Sequence, residues 1–240
     1  MEGKRRLGVR SLVLAAAILT GVCVALGLGA MPVLAANEVV PNWGYSWGSG
    51  GEFDVDVVTW TDTPWTTQVT PRYPGSEFAT FCVQTNQYFS PGAHYYAVLD
   101  TKTNTQEGKA LHGKAAWLFH TWNSAALTNY RYAGAAADRA ADAGQLQYVI
   151  WHYMGRVGVP TSGKALDWYN LAQSSGWAEA YVGNVRVMQL HPKNNPALMA
   201  QDHLVELVPE PATIALFAFG AVPLLPALRR RRRPTHKPSG

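Results

Sequence analysis

The chain has 240 residues, of which 48% are hydrophobic and only 15% charged; that is enough apolar material for one packed domain and excludes a disordered chain. Its two cysteines, Cys23 and Cys82, are too few for a disulfide scaffold. The formal charge of +4 lies at the ends, with +3 on residues 1–35, +5 on 208–240 and −4 on 36–207, so the folding part is mildly acidic and no nucleic-acid partner is expected.

In chain order, Lys4, Arg5, Arg6 and Arg10 precede an apolar run from Leu12 to Leu28 and small residues up to Ala35, the pattern of a secretory signal peptide over 1–35. Cys23 leaves with it. Residues 36–51 are rich in Gly, Ser and Trp, with Trp43, Tyr45 and Trp47 interleaved, and read as an arm that offers an aromatic surface. Alternation over Glu52–Val57 predicts a strand, followed by strands at Phe78–Gln84 and His94–Leu99. Helices follow at Gly108–Leu127, at Ala135–Met154, with an apolar stripe at Leu146, Val149, Ile150 and Tyr153, and near Gly163–Ser174. Strands return at Ala180–Leu190 and His203–Val208. Strands, then helices, then strands give an α+β domain over 52–207, with an antiparallel, sandwich-like sheet and a layer of about three helices inserted between its N- and C-terminal strands.

Beyond this domain, Val208-Pro209-Glu210-Pro211 precedes seventeen uncharged residues, Ala212–Leu228, and the block Arg229, Arg230, Arg231, Arg232 and Arg233. At about 1.5 Å per residue the apolar run spans roughly 25 Å, a marginal membrane helix, and the arginines keep their end cytoplasmic. Residues 208–233 resemble the PEP-CTERM sorting signal; a seven-residue tail, 234–240, is longer than such signals usually carry. The resemblance implies an inner-membrane anchor before processing, an exosortase-type enzyme that removes the tail, and delivery to the cell envelope or extracellular matrix of a bacterium.

Cys82 is then the lone cysteine of an exported body, which rules out an intramolecular disulfide and leaves an inert buried thiol, an intermolecular disulfide, a nucleophile, or a bond to something other than sulfur. The segments Phe78-Ala79-Thr80-Phe81-Cys82 and Gln147-Tyr148-Val149-Ile150-Trp151 resemble the two motifs of the Cys-Gln thioester domains of bacterial surface proteins, with Val149 where that family has alanine. The resemblance implies a crosslink between Cys82 and Gln147, and an adhesin-like protein whose partner surface bears an amine or hydroxyl. No cofactor is expected.

Two other readings stay open. One is a structural or carbohydrate-binding matrix protein without the bond; the other is a cysteine hydrolase with Cys82 as nucleophile and His94, His112, His120 or His152 as base. The expectation is that the protein is not an enzyme, because Cys82 falls inside a strand instead of at a helix N-terminus. Glu52, Asp54 and Asp56 share one strand face; they read as the solvated face of an edge strand in preference to a calcium site. His112 and His120 lack the spacing of a zinc pair, and no metal is expected.

Overall fold

Hydrophobic residues at every second position build the sheet: Val39, Phe53 with Val55, Tyr95 with Ala97, and Met188 with Leu190 are all buried. In a computed structural model of the chain, residues 37–47, 50–60, 69, 71 and 75–207 are described. The signal peptide at 1–35 and everything from Val208 onward, including the sorting signal, the arginine block and the tail, lie outside the described residues.

Six strands, β1 (Glu38–Trp47), β2 (Gly50–Thr59), β3 (Phe78–Thr80), β4 (Tyr95–Asp100), β5 (Val185–Pro192) and β6 (His203–Glu206), pair antiparallel in the order β3-β2-β1-β4-β5-β6. Three helices, α1 (Gly113–Asn123), α2 (Ala136–Tyr153) and α3 (Gly163–Gln173), are inserted between β4 and β5. This is the expected α+β class. The two outer strands also meet: Leu204 N–H donates to Phe81 O at 2.9 Å, Val83 N–H donates to Asp202 O at 3.0 Å, and Cys82 bridges His203 between them. The sheet therefore curls until its edges are stitched together, which leaves few strand edges exposed to another chain. One core, with Val39, Val55, Phe78, Tyr95, Met188 and Leu190, belongs to the strands; a larger one joins Ala79, Phe81, Val83 and Leu204 to the three helices.

Several sequence expectations need correction. The arm expected at 36–51 is corrected over its described residues: 38–47 form β1, a strand paired on both sides, and β2 starts at Gly50. Pro41 and the glycines suggest a loop, yet Val39 is fully buried, and Gly44 sits at a register shift where a Cβ would come 2.8 Å from Glu52 O. Trp43, expected on a surface platform, is 46% exposed but rests against Phe53 and Phe89, with ring centroids 5.7 Å away in each case. The carboxylates of Glu52 and Asp54 are not solvated either, because β2 is an inner strand covered by α2, and both residues are fully buried. The strand at 78–84 stops at Thr80, where the chain leaves β2 and turns its hydrogen bonds toward β6, starting with Thr80 Oγ1 to Leu204 O. The first helix begins at Gly113 and not Gly108, since 102–110 forms a turn closed by a Lys102–Ala110 bridge and His112 caps the helix by accepting the Lys114 N–H at 3.1 Å.

Candidate functional site

Cys82 follows the end of β3, in a stretch held from both sides. Phe81 before it is buried edge-on against Trp122, at 4.7 Å between centroids, and β6 supplies backbone partners on one flank. On the other flank the ladder with β2 has just ended. That register pairs Phe53 with Thr80, and extended by two residues it would set Gly51 opposite Cys82. The side chain of Gln147 takes that place: its Oε1 accepts the Cys82 N–H at 3.2 Å, and its Nε2 donates to Cys82 O at 2.7 Å. A side-chain amide thus pairs with Cys82 as a strand backbone would. The thiol points at the same amide, with Sγ 3.3 Å from Oε1. Both residues are fully buried.

The placement of Gln147 follows from its helix. Arg139, Ala143 and Gln147 recur every four residues on one face of α2, and all three are buried. Arg139 forks onto the Glu52 carboxylate, with Nε at 2.9 Å and Nη2 at 2.6 Å, lies over the Tyr45 ring at 4.1 Å, and shares Glu52 with the Tyr130 hydroxyl. Burial works against the Arg139 charge, but the hydrogen bonds and charge of Glu52 outweigh it and hold its pKa above the ordinary value. This buried pair fixes the register of α2 on β2. Two helical turns further on, Gln147 crosses Gly50, and a Cβ there would lie 2.7 Å from Gln147 Cγ and 2.9 Å from Trp151 Cη2. Glycine is what allows the glutamine to pass between helix and strand.

Burial pushes the Cys82 thiol up to about 12, against a smaller opposing influence from the Trp151 indole. That indole N–H makes no hydrogen bond of normal geometry with the sulfur. The thiol is therefore protonated at neutral pH, with the Gln147 amide in hydrogen-bond reach of its sulfur. Chemically, the arrangement holds a nucleophile beside an acyl carbon, with a backbone N–H on the oxygen that would carry negative charge during attack.

The four candidate bases are engaged elsewhere. His94 Nδ1 lies 2.6 Å from Glu38, which also receives Lys193. His112 caps α1, His120 lies 2.6 Å from Glu206, and His152 is 3.3 Å from Val157 O. His203, across the bridge from Cys82, is the histidine that sequence reasoning passed over. It is fully buried between Phe53 and Phe89, at 5.3 and 5.1 Å, neither ring nitrogen has a hydrogen-bond partner among the described residues, and burial lowers its pKa to about 3. Beside it, Asp202 accepts two bonds from Asn104, its backbone N–H at 2.6 Å and its Nδ2 at 3.2 Å, while burial raises its pKa to about 7. Among the described residues no group of three or more His, Cys, Asp or Glu is arranged to hold a metal ion. Gly50 and the Arg139–Glu52 pair also escaped the sequence reading. The signal for Arg139 was its position two turns before Gln147 on the same helix face.

Comparison of the chain with protein-family models, with curated proteins and with solved structures gives no match.

Proposed function

We propose that this is an exported, exosortase-sorted protein of the cell envelope or extracellular matrix, an adhesin-like module in which Cys82 and Gln147 form an internal thioester for covalent attachment. The observation that supports the reading is the clamp on Gln147, whose amide is held at both ends by the backbone of the residue that carries the thiol. Export and sorting rest on the sequence of the two termini.

The bond forms without a cofactor. Sγ adds to the Gln147 Cδ, the Cys82 N–H stabilises the oxygen, the C–N bond breaks, and the thiol proton departs with the amide nitrogen as ammonia. Solution amides resist thiols. Fixed contact in a dry core raises the effective concentration to the order of 10⁵ M or more. The stored acyl group then passes to an amine or hydroxyl of a partner surface, in a single turnover.

A second reading, a non-covalent matrix-binding module, draws on the same contacts. An amide that satisfies a buried N–H and C=O is a stable arrangement in its own right, and a thiol with a raised pKa is unreactive. Methylamine separates the two. The thioester reading expects methylamine to become attached at residue 147 of the folded protein, in wild type and not in Cys82→Ala; no incorporation into freshly folded wild type leaves the non-covalent module. Failure of the folded thiol to alkylate is uninformative, since a thiol this buried resists alkylation with or without the bond.

A further inference from the structure

Gly50, which lies against the Gln147 side chain, and Trp151, whose ring edge lies beside Gly50, also line a cavity of about 480 Å³ between α2 and the segment leading into α3. That volume falls in the range of small-molecule sites, about 300 to 1,000 Å³. Tyr148 and Trp151 offer it two aromatic surfaces; Gln145, Thr161 and Ser162 offer uncharged hydrogen-bonding groups. Ser162 precedes α3 but makes no side-chain capping bond, because Gln145 Oε1 accepts the Ala165 N–H at 3.0 Å in its stead. The serine hydroxyl is thus not consumed by the helix end. No charged residue is among the described residues of the lining.

We propose that this cavity is the acceptor site of the thioester and that it takes a carbohydrate, one hydroxyl of which is delivered to the acyl carbon of residue 147. The inference rests on the thioester reading and names the acceptor that reading leaves open. Aromatic faces beside hydroxyl and amide groups suit a sugar ring, which is apolar on its C–H faces and polar at its rim. A lysine ammonium entering here would lose its hydration with no carboxylate among the described lining residues to replace it. In the transfer, the sugar oxygen bonds to the carbonyl carbon, the carbon–sulfur bond breaks, and the hydroxyl proton passes to Sγ. The products are an ester at residue 147 and a free Cys82 thiol, whose burial keeps the proton on sulfur. Gln147 is fully buried, and Trp151, partly exposed, lies beside the same Gly50 and lines the cavity, so on this proposal the acceptor reaches the carbon as the Trp151 ring turns aside.

The test uses freshly prepared full-chain protein incubated separately with maltotriose, cellotriose, chitotriose and Nα-acetyl-lysine, followed by intact mass and localisation of any adduct. The expected result is an oligosaccharide ester at residue 147 with at least one of the three sugars. Its yield per thioester formed should fall at least tenfold in Ser162→Trp, which fills the cavity from an exposed loop, and in Tyr148→Ala, which removes an exposed ring. Three results overturn the inference: a thioester that reacts with none of the sugars, a sugar adduct indifferent to both substitutions, or acetyl-lysine adding faster than every sugar. A wild-type protein that has lost no ammonia defeats the thioester reading itself and is told apart from these by mass before any acceptor is added.

Discussion

Gly50→Ala places one methyl group where the clamp on Gln147 has no room. Its Cβ would lie 2.7 Å from Gln147 Cγ and 2.9 Å from Trp151 Cη2, about 1 Å inside ordinary carbon–carbon contact. Gln147 cannot swing aside freely, because its amide is tied to Cys82 at 3.2 and 2.7 Å. Displacing it forfeits two buried hydrogen bonds, roughly 1 kcal/mol each, and overpacking adds about 1 to 3 kcal/mol, so the expected loss is about 3 to 5 kcal/mol. Urea unfolding measures this in a Cys82→Ala background, where no crosslink contributes to the midpoint. Gly158→Ala is the control: a Cβ there meets nothing within 4 Å, and its effect should stay within about 0.5 kcal/mol. With Cys82 restored, Gly50→Ala should also fail to lose ammonia. A Gly50→Ala protein as stable as the control that still forms the crosslink would refute the account of how Gln147 is held.

Arg139→Met leaves the Glu52 carboxylate buried without its fork and should cost about 3 to 5 kcal/mol in thermal or urea unfolding, with crosslink formation reduced because α2 loses its register on β2; Glu52→Gln in addition should recover part of that loss. His203 is neutral in the fold, its pKa lowered to about 3 from an unfolded value near 6.5, so the stability it permits is full above about pH 6.5 and is lost as pH falls toward 3. His203→Leu should flatten that acid limb of a urea-midpoint against pH curve, and an unchanged limb would assign the loss to other groups. Asp202 has the opposite sign: with its pKa raised to about 7, it is most favourable to folding below the ordinary carboxylate range near 4 and progressively less so as pH rises toward 7. Asp202→Asn should remove that decline. Trp151→Ala removes the ring that lies beside Gly50 and lines the cavity, and should shorten the lifetime of the thioester in water at least tenfold, followed as the rate at which intact mass gains one water.

The α+β class and the three helices were legible because their signals are local. The stripe of α2 and the glycine after it bound a helix within two residues of Ala136–Tyr153. The pairing of Cys82 with Gln147 was legible only as a resemblance, since nothing in spacing says which of the helix's two nearby glutamines faces the strand. The structure separates them: Gln147 is buried on Cys82, while Gln145 is exposed and holds the start of α3. What escaped was nonlocal. Asp54 and Glu52 look solvated until Arg139, eighty-seven residues from Glu52, is packed onto the same face. Gly50 looks like linker until a glutamine from α2 is found to need the space a side chain would fill. The early end of β3 likewise depends on β6, which arrives more than a hundred residues later and takes over its hydrogen bonds.

Intact mass of the freshly folded wild-type body, beside Cys82→Ala, Gln147→Ala and Gln145→Ala, tests the central claim most directly. The account predicts a wild type and a Gln145→Ala protein each one ammonia lighter than their sequences, and full sequence mass for the Cys82 and Gln147 variants. A wild type at full sequence mass, with one titratable thiol on unfolding, would contradict it.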